Sequence, residues 1–285
     1  MGTVIKNNME AVRTLNIFNQ NNAALQKSMM RISSGQRINN GSDDAAGMII
    51  SEKLNDRIRS DQQANRNVQT GTAMLRVAEG ALSNITEILH TMKEKGLQAA
   101  NNGGSTNDDV MAITKELDAL ASQITDIANT TKFNGRTLLT GSKPIILQIG
   151  PEGGASLKAL SGNINISANN IGLSISGLSK AFNITTTGSV SSAGSAFLKS
   201  IDTALTNILN YQGDIAKVQS RLNYQSDNLV NEAQELQATE SVIRDTDMSA
   251  EMTNFMKWNV LSQASQLMLA QAGQNAYSVL NLLQQ

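Results

Sequence analysis

The sequence predicts a mainly α-helical protein, with a long coiled-coil helical rod, a small β-hairpin region and paired terminal helices. In several long segments, apolar residues recur at alternating steps of three and four, which is the spacing of one side of an α-helix. Only 3% of the 285 residues are aromatic, although 40% are hydrophobic. That composition favours burial along helical seams over one dense globular core.

The first segment of the chain carries a helical apolar stripe and a positive charge. The stripe consists of Val4, Ile5, Met9, Val12, Leu15 and Phe18, and is continued by Leu25, Met29 and Ile32. Residues 1–40 hold five cationic side chains and one carboxylate, a net charge of +4. We expect an amphipathic terminal helix here.

Three long helical seams follow and predict the rod. Asp43 and Asp44 can cap the first helix, which extends to about Ala100. Its heptad seam consists of Leu75, Ala78, Leu82, Ile85, Leu89 and Met92. A second helix, capped by Thr106 or Asn107, ends near Phe133. The third seam spans residues 201–243, and its polar interruptions are expected to fix register at some cost in stability. These interruptions are Gln212, Gln219, Ser226 and Glu240.

A small β region is expected at about residues 133–180, between the second and third helices. Residues 145–149 favour a short strand, residues 150–154 a hairpin turn, and residues 163–166 alternate as a strand does. The Ser/Thr/Gly-rich segment 185–195 is expected to be a short loop.

The last segment has no charged residue from Trp258 to Gln285, yet it keeps a helical apolar pattern. Its outer sides carry amides and hydroxyls, which suit contact with other protein rather than water or lipid. An internal core helix and a terminal helix buried only on assembly both fit this pattern. Residues 240–285 carry a net charge of −2. Opposite charges and matched apolar stripes predict that the two ends of the chain pair as a coiled coil.

No set of residues in the sequence suits catalysis, a metal or a cofactor, so an enzyme is the least favoured class. His90 is the single histidine, and the chain has no cysteine. The aspartates at positions 43–44, 108–109 and 245/247 lie at predicted helix starts or turns, where capping is favoured over metal binding. A net charge of −1 gives no general attraction to nucleic acid or to an anionic membrane.

Several motifs resemble those of one protein family, the bacterial flagellins. Residues 33–39 (Ser-Ser-Gly-Gln-Arg-Ile-Asn) and 43–47 (Asp-Asp-Ala-Ala-Gly) are similar to the amino-terminal signature of the family. Residues 243–248 (Ile-Arg-Asp-Thr-Asp-Met) and the closing stretch 263–283 are similar to its carboxy-terminal signature. Residues 133–135 and 147–150 match internal landmarks, so the resemblance covers nearly the whole chain.

The resemblance implies a structural subunit that polymerises into the bacterial flagellar filament, the helical propeller for motility. Residues 1–43 and 247–285 would form a terminal-helix domain in the inner tube of the filament. Residues 44–184 and 196–246 would form the rod domain of the outer shell. Segment 185–195 would stand in place of the outer domains of larger flagellins. The expected assembly residues are Val4, Ile5, Met9, Val12, Leu15, Phe18, Leu25, Met252, Phe255, Val260, Leu261, Leu267, Met268, Leu280 and Leu283.

The resemblance also implies partners and a location. The partners would be other copies of the chain in a helical filament, the filament cap and hook–filament junction proteins, and a flagellar export chaperone. The protein would be secreted to the bacterial flagellum as extracellular filament, with periplasmic placement left open. A hook–filament junction protein and a secreted coiled-coil adhesin or effector are the alternatives.

Two further surfaces follow from the resemblance. An animal innate immune receptor senses flagellins at the segment that corresponds to Thr91, Lys93, Glu94, Lys95 and Gln98. Here Thr91 and Lys95 depart from the usual Arg and Leu, which predicts weak activation. Candidate O-glycosylation residues in the predicted loop are Thr185, Thr186, Thr187, Ser189, Ser191, Ser192 and Ser195.

Overall fold

The structure, a computed structural model, describes the backbone of residues 8–101, 106–140, 145–152, 156–160 and 189–283. Side chains are described within these ranges except at positions 107, 156–160, 189–193 and 275–283. The elements, in chain order, are α1 (Met9–Ser34), α2 (Ala45–Ala100), α3 (Asn107–Thr130), β1 (Lys132–Phe133), β2 (Arg136–Thr137), β3 (Ile145–Gln148), β4 (Ser156–Leu160), α4 (Ser189–Arg244) and α5 (Met248–Leu283). The predicted mainly α fold with a small β-hairpin region is confirmed.

The chain divides into two compact units. One consists of Met1–Ile58 with Gln234–Gln285, and the other of Arg59–Ala233. The divisions fall inside α2 and α4, whereas the sequence placed its domain boundaries at the turns near residues 43 and 247. The difference has a local cause, because the first turns of α2 and the last turns of α4 contact the segments that lead into the terminal helices.

The core of the second unit is the set of predicted helical seams. All six predicted seam residues of α2 are buried, and they belong to one apolar cluster with residues of α3 and α4. The largest fully buried side chains in this cluster are Leu75, Leu82, Ile85, Leu89, Met92, Leu117, Ile124, Leu139 and Ile201. The heptad spacing therefore identified the buried face of these helices correctly.

Polar side chains lie across the α2–α4 seam where the sequence predicted interruptions. Gln219 Nε2 donates to Glu79 Oε2 at 2.9 Å, and Ser226 Oγ donates to Asn65 Oδ1 at 2.8 Å. Gln212 Nε2 lies 3.5 Å from Thr86 Oγ1, a marginal hydrogen bond. Each of these α4 residues thus has a polar partner on α2. Glu240, the fourth interruption, is only partly buried.

Acidic side chains cap helices, as the sequence predicted. Asp44 Oδ1 accepts from the Gly47 N–H at 2.9 Å at the start of α2, and Asp247 Oδ1 accepts from the Ser249 N–H at 2.9 Å at the start of α5. Thr106 and Asp109 form a reciprocal capping box at the start of α3. The hydrogen bonds from the Thr106 hydroxyl and backbone lower the pKa of the Asp109 carboxyl.

Two antiparallel hairpins form the β region. The β1–β2 turn places Asn134 and Gly135 at φ of 47° and 78°, a left-handed conformation that Asn and Gly tolerate. In the second hairpin, Gln148 of β3 pairs with Ser156 of β4, in agreement with the turn predicted between them. Leu147 packs against Gly71 of α2, where a Cβ would overlap it. Strand β4 was not predicted, and segment 163–166 lies outside the described residues.

The predicted loop 185–195 is wrong over residues 189–195, which form the first turns of α4. Ser and Gly are weak helix formers, but tertiary packing overrides that preference. Gly194 is buried, and a Cβ there would lie 2.9 Å from Cβ of Ala100. Phe197 packs against Gly96 one turn further along. The candidate glycosylation residues Ser189, Ser191, Ser192 and Ser195 therefore lie on a helix, and Thr185, Thr186 and Thr187 lie outside the described residues.

Candidate assembly surface on the paired terminal helices

Helices α1 and α5 pair antiparallel in the first unit. Asn8 Nδ2 donates to the Ala272 carbonyl at 3.1 Å, near the start of α1. At the other end of α1, Ser28 Oγ donates to Glu251 Oε1 at 2.6 Å. As position increases along α1 it decreases along α5, so the helices are antiparallel. The predicted pairing of the two chain ends is confirmed.

The seam of this pair coincides only in part with the predicted apolar stripes. Buried and half-buried residues alternate at steps of three and four on both helices, and about half of them are polar or small. On α1 they are Ala11, Thr14, Phe18, Asn21, Leu25, Ser28 and Ile32, and on α5 they are Glu251, Phe255, Trp258, Ser262, Ser265, Leu269 and Ala272. Two of the hydroxyl residues expected to face other proteins, Ser262 and Ser265, thus face α1 of the same chain instead.

Hydrogen bonding explains why polar residues occupy this seam. Asn21 Nδ2 donates to the Leu261 carbonyl at 3.3 Å, and Ser262 Oγ donates to Asn22 Oδ1 at 2.6 Å. Small and short polar side chains let the helices approach, and the buried side chains of Asn21, Ser28, Ser262 and Ser265 all have hydrogen-bond partners. Since polar residues take the seam, most of the large apolar side chains point away from it.

Those apolar side chains form an exposed surface. Among the expected assembly residues, Met9, Val12, Leu15, Met252, Val260, Leu261, Leu267 and Met268 are 38% to 74% exposed. Phe18, Leu25 and Phe255 are half-buried in the seam instead. Val4 and Ile5 lie outside the described residues, as do the side chains of Leu280 and Leu283. We define the outer apolar face as Met9, Val12, Leu15, Ile17, Met29 and Met30 of α1 with Met248, Met252, Met256, Val260, Leu261, Leu267 and Met268 of α5.

One carboxylate is buried in the seam. Glu251 is 8% exposed, and its Oε1 accepts from the Ser28 hydroxyl. Its second oxygen lies 3.7 Å from Nη1 of Arg31, within reach of an ion pair. A buried charge is tolerated when hydrogen bonds and an opposite charge compensate for lost hydration. These partners therefore hold one end of the α1–α5 pair together.

The turn after α1 binds the turn before α5, in a contact that we call the clasp (residues 35–37 with 243–246). The Arg37 N–H donates to the Arg244 carbonyl at 2.7 Å, and the Thr246 N–H donates to the Gly35 carbonyl at 2.9 Å. Arg37 Nη2 also donates to the Ile243 carbonyl at 2.6 Å. The two terminal motifs seen in the sequence thus contact each other, which spacing along the chain could not reveal.

Two ion pairs flank the clasp. Arg244 Nη1 lies 2.8 Å from Oε1 of Glu52 on α2. Lys27 Nζ lies 2.6 Å from Oδ1 of Asp43. The hydrogen bond from Lys27, with those from the backbone N–H groups of Asn39 and Asn40, lowers the pKa of the Asp43 carboxyl. Asp43 therefore ties the α1–α2 turn to α1, in addition to the capping role expected for this pair of aspartates.

The expected receptor segment lies on α2 in the second unit, but its charged residues have different partners. Lys93 Nζ lies 2.6 Å from Oδ1 of Asp202 on α4, whereas Lys95 Nζ lies 2.9 Å from Oε2 of Glu116 on α3. Thr91 is half-buried, and its hydroxyl donates to the Glu87 carbonyl at 3.2 Å. Glu94 and Gln98 are exposed. The segment is therefore helical, with both lysines turned to neighbouring helices.

Other kinds of site have little support in the described parts of the chain. There, no group of three or more histidine and carboxylate side chains could hold a metal ion. His90 is exposed on α2, as expected for a surface histidine. None of the described helices is long and apolar enough to cross a membrane.

Comparison with known proteins agrees with the motifs. The model of the bacterial flagellin N-terminal helical region matches residues 5–144, and that of the C-terminal helical region matches residues 198–283. The chain is 38% identical to a flagellin of Bacillus subtilis (strain 168), over 98% of this chain and 99% of that protein. It is 34% identical to a flagellar filament 31.3 kDa core protein of Treponema maltophilum, over 99% of this chain and 100% of that protein.

A solved structure adds the fold. A Vibrio parahaemolyticus protein described as a flagellar hook-associated protein superposes with a TM-score of 0.61, over 71% of this chain and 99% of that chain. At 18% identity this likeness shows a common fold alone, so it gives no support to the hook–filament junction alternative. The two family models and the full-length relatives agree with the motifs at both ends: the chain belongs to the bacterial flagellin family.

Proposed function

We propose that this chain polymerises with copies of itself into the flagellar filament, and that the outer apolar face makes the contacts between subunits. The observation that carries the proposal is that about half of the α1–α5 seam is polar or small, while many large apolar side chains of these two helices are exposed. A monomeric protein seldom exposes so many large apolar side chains on one pair of helices. We expect another copy of the same chain to cover this face, because the relatives of the chain include flagellar filament proteins.

The free energy gained by burying these apolar side chains can exceed the cost of association. Fully burying one Val, Leu or Met side chain contributes about 1.5–3 kcal/mol. Association costs roughly 4–15 kcal/mol in lost translational and rotational freedom, before side-chain ordering is counted. Burial of several of the thirteen residues of the outer apolar face can exceed that cost. The contact would then be weak for one pair of subunits and strong for a subunit surrounded by neighbours.

Residues 1–43 and 247–285 would line the inner tube of the filament, and residues 44–184 and 196–246 would form its outer shell. The filament cap, the hook–filament junction proteins and an export chaperone would be further partners, since each handles the same subunit. The subunit would be secreted to the flagellum and would act as a structural element without catalytic activity. The family resemblance supports these assignments.

Charge substitutions on the outer apolar face test the proposal. Leu267→Asp and Val12→Asp are expected to stop elongation on filament seeds, because burying an unpaired charge costs several kcal/mol. Circular dichroism should show that the second unit stays folded. The matched control is Leu267→Met, which preserves size and apolarity and should elongate normally. Normal filaments from either Asp variant, seen by electron microscopy, would contradict this placement.

The same assay separates the alternatives. A filament subunit grows long tubes from seeds, whereas a junction protein or a secreted adhesin does not. If the unmodified chain fails to elongate seeds of its own filament while remaining folded, the proposed function is wrong.

A further inference from the structure

All side-chain sulfur in this chain is methionine, and its distribution is uneven. The sequence has twelve methionines and no cysteine. Seven of the methionines lie on α1 and α5 and are 39% to 65% exposed, namely Met9, Met29, Met30, Met248, Met252, Met256 and Met268. In the second unit, Met74 and Met92 are 6% and 0% exposed. The chain therefore carries both accessible and protected thioethers.

Four of the exposed methionines lie on α5. Met248, Met252 and Met256 follow each other at steps of four, and Met268 lies about three turns further along the same helix. Residues four apart are neighbours on a helix surface. We define Met248, Met252, Met256 and Met268 as the methionine row. The row belongs to the outer apolar face, so its side chains would take part in the proposed contacts between subunits.

We propose that the methionine row is a site of reversible oxidation by peroxides, and that sulfoxide formation there prevents a free subunit from joining a filament. In this step a thioether sulfur attacks one oxygen of hydrogen peroxide, and an S–O bond forms as the O–O bond breaks. The sulfur is oxidised to the sulfoxide, the peroxide is reduced, and its second oxygen leaves as water. Methionine sulfoxide reductases reverse the reaction.

Sulfoxide formation makes the surface polar at the positions where the proposed contacts between subunits require apolar side chains. A methionine side chain is flexible and apolar, whereas its sulfoxide is polar and accepts strong hydrogen bonds. Burying that oxygen without a donor is unfavourable. Because every subunit presents the same row, the penalty would recur at each addition. Oxidation would act on free subunits, since assembly covers the row and excludes the oxidant.

The inference rests on the proposed function and has a direct test. Free subunits are treated with hydrogen peroxide, sulfoxide at each methionine is followed by mass spectrometry, and elongation on untreated seeds is followed by light scattering. We expect the row to oxidise at least about tenfold faster than Met74 and Met92. Elongation should fall as the row is oxidised, and return after treatment with sulfoxide reductases. In assembled filaments the row should be protected.

Leucine variants locate the effect. Replacing all four row residues (Met248→Leu, Met252→Leu, Met256→Leu and Met268→Leu) conserves size and apolarity. After peroxide treatment this variant should keep a larger fraction of its own untreated elongation rate than the wild type keeps, and the exposed Met9, Met29 and Met30 account for the sensitivity that remains. Met111, which is 54% exposed on α3, supplies the matched control. Met111→Leu should remain as sensitive as the wild type.

The outcomes are distinguishable. The inference would be overturned if the four-leucine variant lost the same fraction of its elongation rate to peroxide as the wild type, or if the row were oxidised no faster than Met74 and Met92. If the four-leucine variant does not elongate at all, the test is whether sulfoxide reductases restore the elongation of peroxide-treated wild-type subunits. Restored elongation supports the inference, and elongation that stays blocked overturns it. Failure of untreated wild-type subunits to elongate would instead count against the proposed function.

Discussion

At the residue scale, the structure shows which side chains of the terminal helices are used within the chain. Glu251, Ser28 and Asn21 are buried in the α1–α5 seam, although each is a residue type that usually faces water. Sequence spacing could not predict this, because the partners of Ser28 and Asn21 lie more than 200 residues away. The apolar stripe was the stronger local signal, and it marks a surface that the single chain leaves exposed.

The lowered pKa of Asp43 predicts an acid-sensitive contact beside the clasp, between the α1–α2 turn and α1. The carboxylate is stabilised by Lys27, so its folded-state pKa lies below its unfolded value of about 3.9. The stabilisation is complete well above that value, and is lost as pH falls through the folded pKa. Wild-type filaments should therefore dissociate at a lower temperature at pH 3 than at pH 7, and Asp43→Asn should reduce this difference.

Light scattering during heating measures this effect. The control is Asp214→Asn, which removes an exposed Asp214–Lys217 pair in the second unit. Exposed pairs contribute little, so this control should keep the wild-type pH dependence. An unchanged pH dependence in Asp43→Asn would show that other groups govern acid sensitivity.

The receptor segment gives a second prediction at this scale. Weak activation of the innate receptor is expected, because Thr91 and Lys95 replace the Arg and Leu of readily sensed flagellins. The double variant Thr91→Arg with Lys95→Leu should raise the response in receptor-reporter cells. The second change also removes the ion pair with Glu116, so Glu116→Gln is the control. A strong wild-type response, or no gain in the double variant, would refute the prediction.

At the scale of elements, the long helices were predictable and their ends less so. The seams of α2, α3 and α4 follow a local heptad pattern, which is readable without tertiary information. The start of α4 could not be predicted in this way, because it is stabilised by tertiary contacts. Gly194 packs against Ala100 of α2, and Phe197 packs against Gly96 of α2. Strand β4 was missed since its pairing with β3 is visible only in three dimensions.

The polar contact between Ser226 and Asn65 predicts a measurable coupling across the α2–α4 seam. A double-mutant cycle with Ser226→Ala and Asn65→Ala should give a coupling of about 0.5–1.5 kcal/mol in the free energy of unfolding. The contact is partly buried, which favours a value above that of a surface pair. Urea unfolding monitored by circular dichroism provides the values.

A cycle of Thr203→Ala with Asn65→Ala is the control, since Thr203 is exposed and donates to its own helix at the Lys199 carbonyl. That cycle should be additive within about 0.3–0.5 kcal/mol. Additivity in the Ser226–Asn65 cycle would mean that the hydrogen bond contributes nothing to the seam.

At the scale of the whole molecule, the two units differ in what stabilises them. The second unit has a continuous apolar core, whereas the first pairs its terminal helices through many polar and small residues. Burial of apolar area is the main favourable term in folding. The first unit should therefore be the less stable of the two until other subunits cover its outer apolar face.

Hydrogen exchange tests that difference. Amides of residues 9–34 and 248–274 should exchange faster in the free subunit than those of residues 75–92, and should become protected in the filament. The second unit serves as the internal control, because its core should be protected in both states. Strong protection of α1 and α5 in the free subunit would contradict the prediction.

The clasp has a consequence for the time at which the chain can fold. It joins residues 35–37 to residues 243–246, so the partner of α1 is made only after the whole second unit has been synthesised. During synthesis, α1 is made long before α5. Closing so long a loop is slow compared with forming local helix contacts. The pairing of α1 with α5 is therefore delayed by the order of the chain. The outer apolar face, which includes residues of both helices, is incomplete until α5 has been made.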